Sequence, residues 1–167
     1  MAQHPSPLAA VLKGALAGAL ATVVSYSTGR VLFGPFAPPE FLARRGGTPP
    51  PHRIVQKFAS GIFEVELTKE QESNYVWGVH FAYGAFWGII YALLQSSLRW
   101  PSLIHGLLYG GIVWVLGHFY LLPMTKISAP ASKQPRSIAK RWAIVNLVWG
   151  VVAALIYDRL TCSRHGE

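Results

Sequence analysis

Two histidines, His80 and His118, sit inside long runs that carry no Asp, Glu, Lys or Arg. His80 heads the stretch "HFAYGAFWGIIYA", and His118 stands five residues before Pro123. An imidazole in such a place can ligate haem iron, carry a proton or hold a structural hydrogen bond. Tyr26 and Asn146 lie in two further apolar runs and extend the set. Read as antiparallel helices, the four runs place His80 just after a helix start and His118 just before a helix end. Asn146 then lies shortly inside the fourth helix, and Ser25 and Tyr26 near the end of the first. Tyr26, His80, His118 and Asn146 therefore form a candidate polar layer at one depth. A structural network is the first reading, because buried polar groups must be paired and pairing fixes helix register. A proton path or small-ligand pocket is the second, since such residues are costly to bury in lipid. A haem held by His80 and His118 is the third. Two histidines without further ligands or a spacing motif define no metal site, so no cofactor is assigned.

Other chemistry is sparse. No G-x-S-x-G, H-E-x-x-H or G-K-S/T loop occurs, and no catalytic residue is assigned. The single cysteine, Cys162, excludes an internal disulfide and any Cys-x-x-Cys site. Glu64, Glu66, Glu70 and Glu72 cluster at a helix start, where negative charge complements the dipole. A second polar group, Lys13, Gln95, His105, Asp158 and Arg159, gathers at the opposite end of the runs. Within it Lys13 and Asp158 are candidates for an ion pair between the first and last helices, with separate anchoring at the interface as the alternative.

The elements that must position these residues are legible from the distribution of charge. Only 13% of residues are charged and 51% are hydrophobic, against about 25% charged in a typical soluble domain. Mean hydropathy is +0.32. The missing charge is concentrated in four segments, residues 8–32, 76–98, 102–122 and 138–160. Each is near the ~20 residues that a helix rising ~1.5 Å per residue needs to cross ~30 Å of hydrocarbon. The expected fold is all-α, a four-transmembrane-helix bundle forming one membrane domain over residues 1–167. The first segment exceeds the length of a signal-peptide core and lacks a basic stretch before it, so it is read as a retained helix.

Small residues repeat on these helices. The first carries Ala10, Gly14, Gly18 and Thr22 on one face, and Ala17, Ala21, Ser25 and Gly29 on another. Gly84 and Gly88 follow His80 at helical spacing, Gly106 and Gly110 lie on the third helix, and Gly150 on the fourth. In lipid, small residues at this spacing let backbones approach closely. Tyr83, Trp87 and Tyr91 make an aromatic stripe beside Gly84 and Gly88. Trp77, Trp100 and Trp142 sit at span ends, as interfacial belts require.

The long connection after the first helix is rich in proline and glycine. Within it, "HRIVQKFASGIF" sets Ile54, Val55, Phe58 and Ile62 against Arg53, Gln56 and Lys57, a short amphipathic helix expected at the membrane surface. Thr68 with Gln71 fits a capping box that starts the second long helix. "RWP" between the second and third spans leaves room only for a tight antiparallel hairpin. Eleven of the 15 Lys and Arg residues fall on the side of the first and third connections. The positive-inside bias therefore puts loops 33–75 and 123–137 in the cytoplasm and both termini outside. That bias also accounts for the net charge of +8, so no nucleic-acid partner is inferred. The expected partners are the lipid bilayer and, beyond it, a second copy or another membrane protein.

The stretches "APPEFLARRGG", His80 with "YGAFWGIIYALL", "HGLLYGGIVWVLGHFYLLP" and "NLVWGVVAALIYD" resemble the YagU-like, or DUF1440-type, family of small bacterial inner-membrane proteins. The resemblance runs from Leu8 to Asp158. It is carried by His80, Tyr83, Gly84, Gly88, Gly106, Gly110, His118, Pro123, Trp149 and Gly150. It implies an inner-membrane, multi-pass architecture without an assigned reaction or cofactor. Asn146 departs from the pattern, in which a histidine is common, and an amide cannot shuttle protons near neutral pH. The combined expectation is a non-enzymatic packing or interaction protein. A small transporter or proton-handling protein is second and a haem-binding redox subunit third.

Overall fold

A computed structural model describes residues 6–37, 55–56, 67–98, 100–124 and 129–162. Its long helices are α1 (Pro7–Phe33), α2 (Lys69–Leu98), α3 (Ser102–Val115) and α4 (Arg136–Cys162). The α3 rod continues through a π-helical segment, Leu116–Leu121, and a last turn, Leu122–Met124. All four rods are long and apolar enough to cross a membrane. A 3-10 turn, Ala131–Lys133, precedes α4. Of the expected amphipathic helix, Val55 and Gln56 are described and helical. The rest of it lies outside the described residues.

Local chemistry sets the helix ends. Ser6 Oγ accepts from the Ala9 amide (3.3 Å) and starts α1, with Pro7 in its first turn. At α2 the capping box is reciprocal. The Thr68 amide donates to Gln71 Oε1 (3.0 Å) and the Gln71 amide donates to Thr68 Oγ1 (3.3 Å). The π-helical turn lies just before Pro123, which has no N–H to offer and whose ring crowds the carbonyl one turn back. Widening the preceding turn accommodates both effects. At the end of α1, Arg141 Nη1 donates to the Leu32 carbonyl (2.7 Å), so α4 satisfies a terminal acceptor of α1 with a cation.

The helices pack as an antiparallel bundle in which α1 with α2, α3 with α4, and α1 with α4 approach closely. Both small-residue faces of α1 are in use. Gly14 and Gly18 meet α2: a Cβ on Gly14 would lie 2.5 Å from the Gly88 carbonyl oxygen, and one on Gly18 would lie 2.8 Å from Gly88 Cα. Ala17, Ala21 and Ser25, on the other face, are buried, and Gly29 faces Val145 of α4. The second close crossing joins α3 and α4. A Cβ on Gly106 would lie 2.7 Å from the Gly150 carbonyl oxygen, and one on Gly110 would lie 2.5 Å from that of Asn146. These contacts are backbone against backbone, which only glycine permits.

The expected tight hairpin of α2 and α3 takes a different form. Their turn is short, yet the two backbones make few close approaches. Large rings hold them apart: Trp87 and Tyr91 on α2 meet Tyr109 on α3 with centroids 6.3 and 5.4 Å apart. Trp149 and Tyr157 of α4 complete the group (6.2 Å to Tyr109 and 5.9 Å to Tyr91). This aromatic seam fills the centre of the bundle between the two glycine crossings.

Candidate functional site

The proposed polar layer resolves into two separate ring contacts. On one side Tyr26 of α1 meets α2, with centroids 4.5 Å from Trp77 and 6.3 Å from His80. On the other, His118 stacks on Trp142 of α4 at 5.3 Å. Trp142 also packs on Phe33 (4.6 Å), which joins the ends of α1, α3 and α4. The hydrogen bonds of His80 and Asn146 run within their own helices. His80 Nδ1 donates to its own Val76 carbonyl (2.9 Å), and Asn146 Nδ2 to its own Trp142 carbonyl (2.8 Å). Thr22 and Ser25 likewise donate to the Gly18 and Thr22 carbonyls. A side chain in lipid finds its nearest acceptor one turn back on its own helix, and the space between helices is taken by rings. His80 and His118 therefore make ring contacts with neighbouring helices, while the hydrogen bonding of His80 and Asn146 stays local.

Two of the hydrogen bonds that cross between helices belong to the aromatic seam. Tyr109 Oη donates to the Trp87 carbonyl (2.7 Å), and Trp149 Nε1 donates to the Gly18 carbonyl (3.1 Å). The first ties α3 to α2, and the second ties α4 to α1. Nothing in residue spacing marked these carbonyls. They accept a second donor because the glycines beside them leave the backbone uncovered. The indole Nε1 of Trp87 and of Trp114, and the hydroxyl of Tyr91, are buried without a hydrogen-bond partner.

The end of the bundle near the termini carries the densest polar group. Gln95 Nε2 donates to the Trp100 carbonyl (2.8 Å) across the α2–α3 turn. Its Oε1 therefore faces His105 Nδ1, and since an amide oxygen only accepts, Nδ1 carries the proton. His105 is 4% exposed and lies against Tyr91 (4.8 Å) and Trp100 (5.9 Å). Sequence reasoning grouped Gln95, His105 and Asp158 here. It named Tyr91 only within an aromatic stripe and did not single out Tyr109 and Tyr157; the spacing of Tyr91 one turn after Trp87 was the available signal. No ion pair joins Lys13 to Asp158. Asp158 is half-buried and follows Tyr157 on α4.

Among the described residues no group of three or more His, Cys, Asp or Glu side chains converges as a metal would require. A shallow apolar groove runs along α3, lined by Leu108, Gly111, Ile112, Trp114, Val115 and Leu116.

A family described as "Protein of unknown function (DUF1440)" matches residues 33–156, a range that covers α2, α3 and most of α4. No curated protein and no solved structure matches the chain.

Proposed function

The chain belongs to the DUF1440 family, and from that premise we propose that it is a non-enzymatic membrane protein that works by helix association. Its partner is a second copy or another membrane protein. The observation that supports this reading is the filled centre of the bundle. Trp87, Tyr91, Tyr109, Trp149 and Tyr157 occupy the space between the two glycine crossings, in ring contact with one another. A conduit needs a wettable path between helices, whereas these rings make an apolar plug. The surfaces presented outward are apolar side chains of the spans, among them Leu12, Leu16, Leu107, Ile112 and Leu155.

In this reading the chain resides in the inner, or plasma, membrane with loops 33–75 and 123–137 cytoplasmic. The eleven-to-four partition of Lys and Arg supports that orientation. Reconstitution into vesicles loaded with a pH-sensitive dye tests the reading, alongside subunit counting by single-molecule photobleaching. Proton leak equal to that of empty vesicles, with a defined oligomer or a co-purifying membrane protein, is expected. Protein-dependent proton flux would overturn it in favour of proton handling through His80 and His118. A Soret band in the purified protein would overturn it in favour of haem binding.

A further inference from the structure

The apolar groove along α3 ends beside exposed cations of α4. Its side chains are uncovered: Leu108 is 50% exposed, Ile112 52% and Leu116 38%. They stay so because, among the described helices, only α4 approaches α3 closely. Gly111 lines the groove, and a Cβ there would make one ordinary contact, with Leu147 Cδ2 of α4 at 3.8 Å. Leu147 belongs to a face of α4 that also carries Lys140, Ile144 and Val151 at helical spacing. That face therefore borders the groove. The glycine crossing sets the level: Gly106 lies against Gly150 and Gly110 against Asn146, so each step forward along α3 matches a step back along α4. Carried on from Gly110 and Asn146, this register puts Lys140 level with Leu116, at one end of the groove, and Arg136 one turn beyond. Both cations are exposed.

The charge at this end is of one sign. Residues 73–157 contain no Asp or Glu, and the positive end of the α4 dipole adds to Arg136 and Lys140. Arg136 opens α4, so the two cations stand where a span meets the headgroups. An apolar furrow that ends at a guanidinium and an ammonium matches a molecule with a long apolar tail and an anionic head. Phosphate oxygens accept from both cations, and an acyl chain lies along Ile112 and Gly111. A second copy seated on the same groove by a two-fold axis would bring its own Arg136 and Lys140 to the same depth, cation against cation. A zwitterionic lipid carries a cation of its own beside the phosphate and gains less. We propose that the α3 groove, with Lys140 and Arg136 at its end, binds an anionic phospholipid. Such a site needs only that the four spans lie in a bilayer; it is independent of the orientation and of the partner proposed above.

The test uses the full chain, delipidated in a neutral detergent and titrated with phosphatidylglycerol or with phosphatidylcholine of the same acyl chains. Native mass spectrometry counts bound lipid, and circular dichroism confirms that each variant is folded. Saturable binding of phosphatidylglycerol, tighter than that of phosphatidylcholine, is expected. One basic residue near the membrane surface is worth about 5-fold in affinity. Arg136→Gln and Lys140→Gln should therefore each weaken binding by about 5-fold, and the double variant by about 25-fold. Arg30→Gln is the control, because Arg30 is likewise exposed at this end of the bundle but lies on α1; it should leave binding unchanged. Gly111→Leu fills the groove from a position that accepts a Cβ without collision, and it should abolish retention of the lipid. Ile112→Trp, at an exposed position, repeats that test should the first variant fail to fold. Equal binding of the two lipids overturns the proposal, as does equal weakening by Arg30→Gln, which would make the cations a diffuse basic surface. Unchanged phosphatidylglycerol binding in the groove-filling variants overturns it too; if a dimer is lost in them at the same time, the groove belongs to a second copy.

Discussion

Gly150→Ala adds one methyl group at the α3–α4 crossing, and its effect follows from what surrounds that point. The new Cβ would lie 2.7 Å from both Gly110 Cα and Gly110 N, and closer still to the Gly106 carbonyl oxygen. All three are backbone atoms, so no side chain can turn aside. Carbon contacts relax at about 3.5–4.0 Å, so the helices must part by roughly 1 Å at their crossing. A gap of that size forfeits a quarter to a half of each dispersion contact along the interface. Against this, alanine is favoured over glycine inside a helix by about 1 kcal/mol. Overpacking a close-fitted site costs about 1–3 kcal/mol, which exceeds or cancels that gain. The net expectation is destabilisation of up to about 2 kcal/mol, and more for Gly150→Leu. Gly78→Ala is the internal control, because nothing lies within 4 Å of a Cβ there. It should be neutral or stabilising by up to about 1 kcal/mol from helix propensity alone. Both variants are compared by reversible unfolding in mixed micelles. If Gly150→Ala is as stable as Gly78→Ala, the close approach of α3 and α4 is refuted.

Four further outcomes are expected, the first two from contacts across the bundle. Trp149→Phe keeps most of the ring and removes the donor to the Gly18 carbonyl, so unfolding stability should fall by about 1 kcal/mol beyond the lost area. Arg141→Met removes the cation from the Leu32 carbonyl; stability should drop by about 1–2 kcal/mol, with faster hydrogen exchange in the last turn of α1. Because His80 bonds its own Val76 carbonyl, His80→Gln and His80→Leu should differ by less than about 1 kcal/mol; a larger gap would reveal a partner on another helix. A reporter fused after Glu167 should be exported and one inserted near Gly47 retained, which fluorescence and alkaline phosphatase fusions distinguish.

The sequence by itself determined the four spans, because transfer of a helix into hydrocarbon depends on the summed polarity of its own residues. Residues 8–32 became Pro7–Phe33, and 138–160 became Arg136–Cys162. The Thr68–Gln71 cap was equally legible, since donor and acceptor lie three residues apart on one strand of chain. The small-residue stripes were visible too, but their partners were not. Gly110 and Gly111 are alike in sequence, yet the first meets the Asn146 carbonyl and the second only a Leu147 methyl at 3.8 Å. Successive residues point about 100° apart around a helix, so which of them reaches a neighbour depends on how each rod is rotated and crossed in the bundle. The same rotation decided that Tyr91, Tyr109 and Tyr157 face inward and that Asp158 makes no ion pair with Lys13. It likewise kept His80 and Asn146 bonded to their own helices. Rotation and crossing are set jointly by all the contacts between helices, and no single helix contains that information.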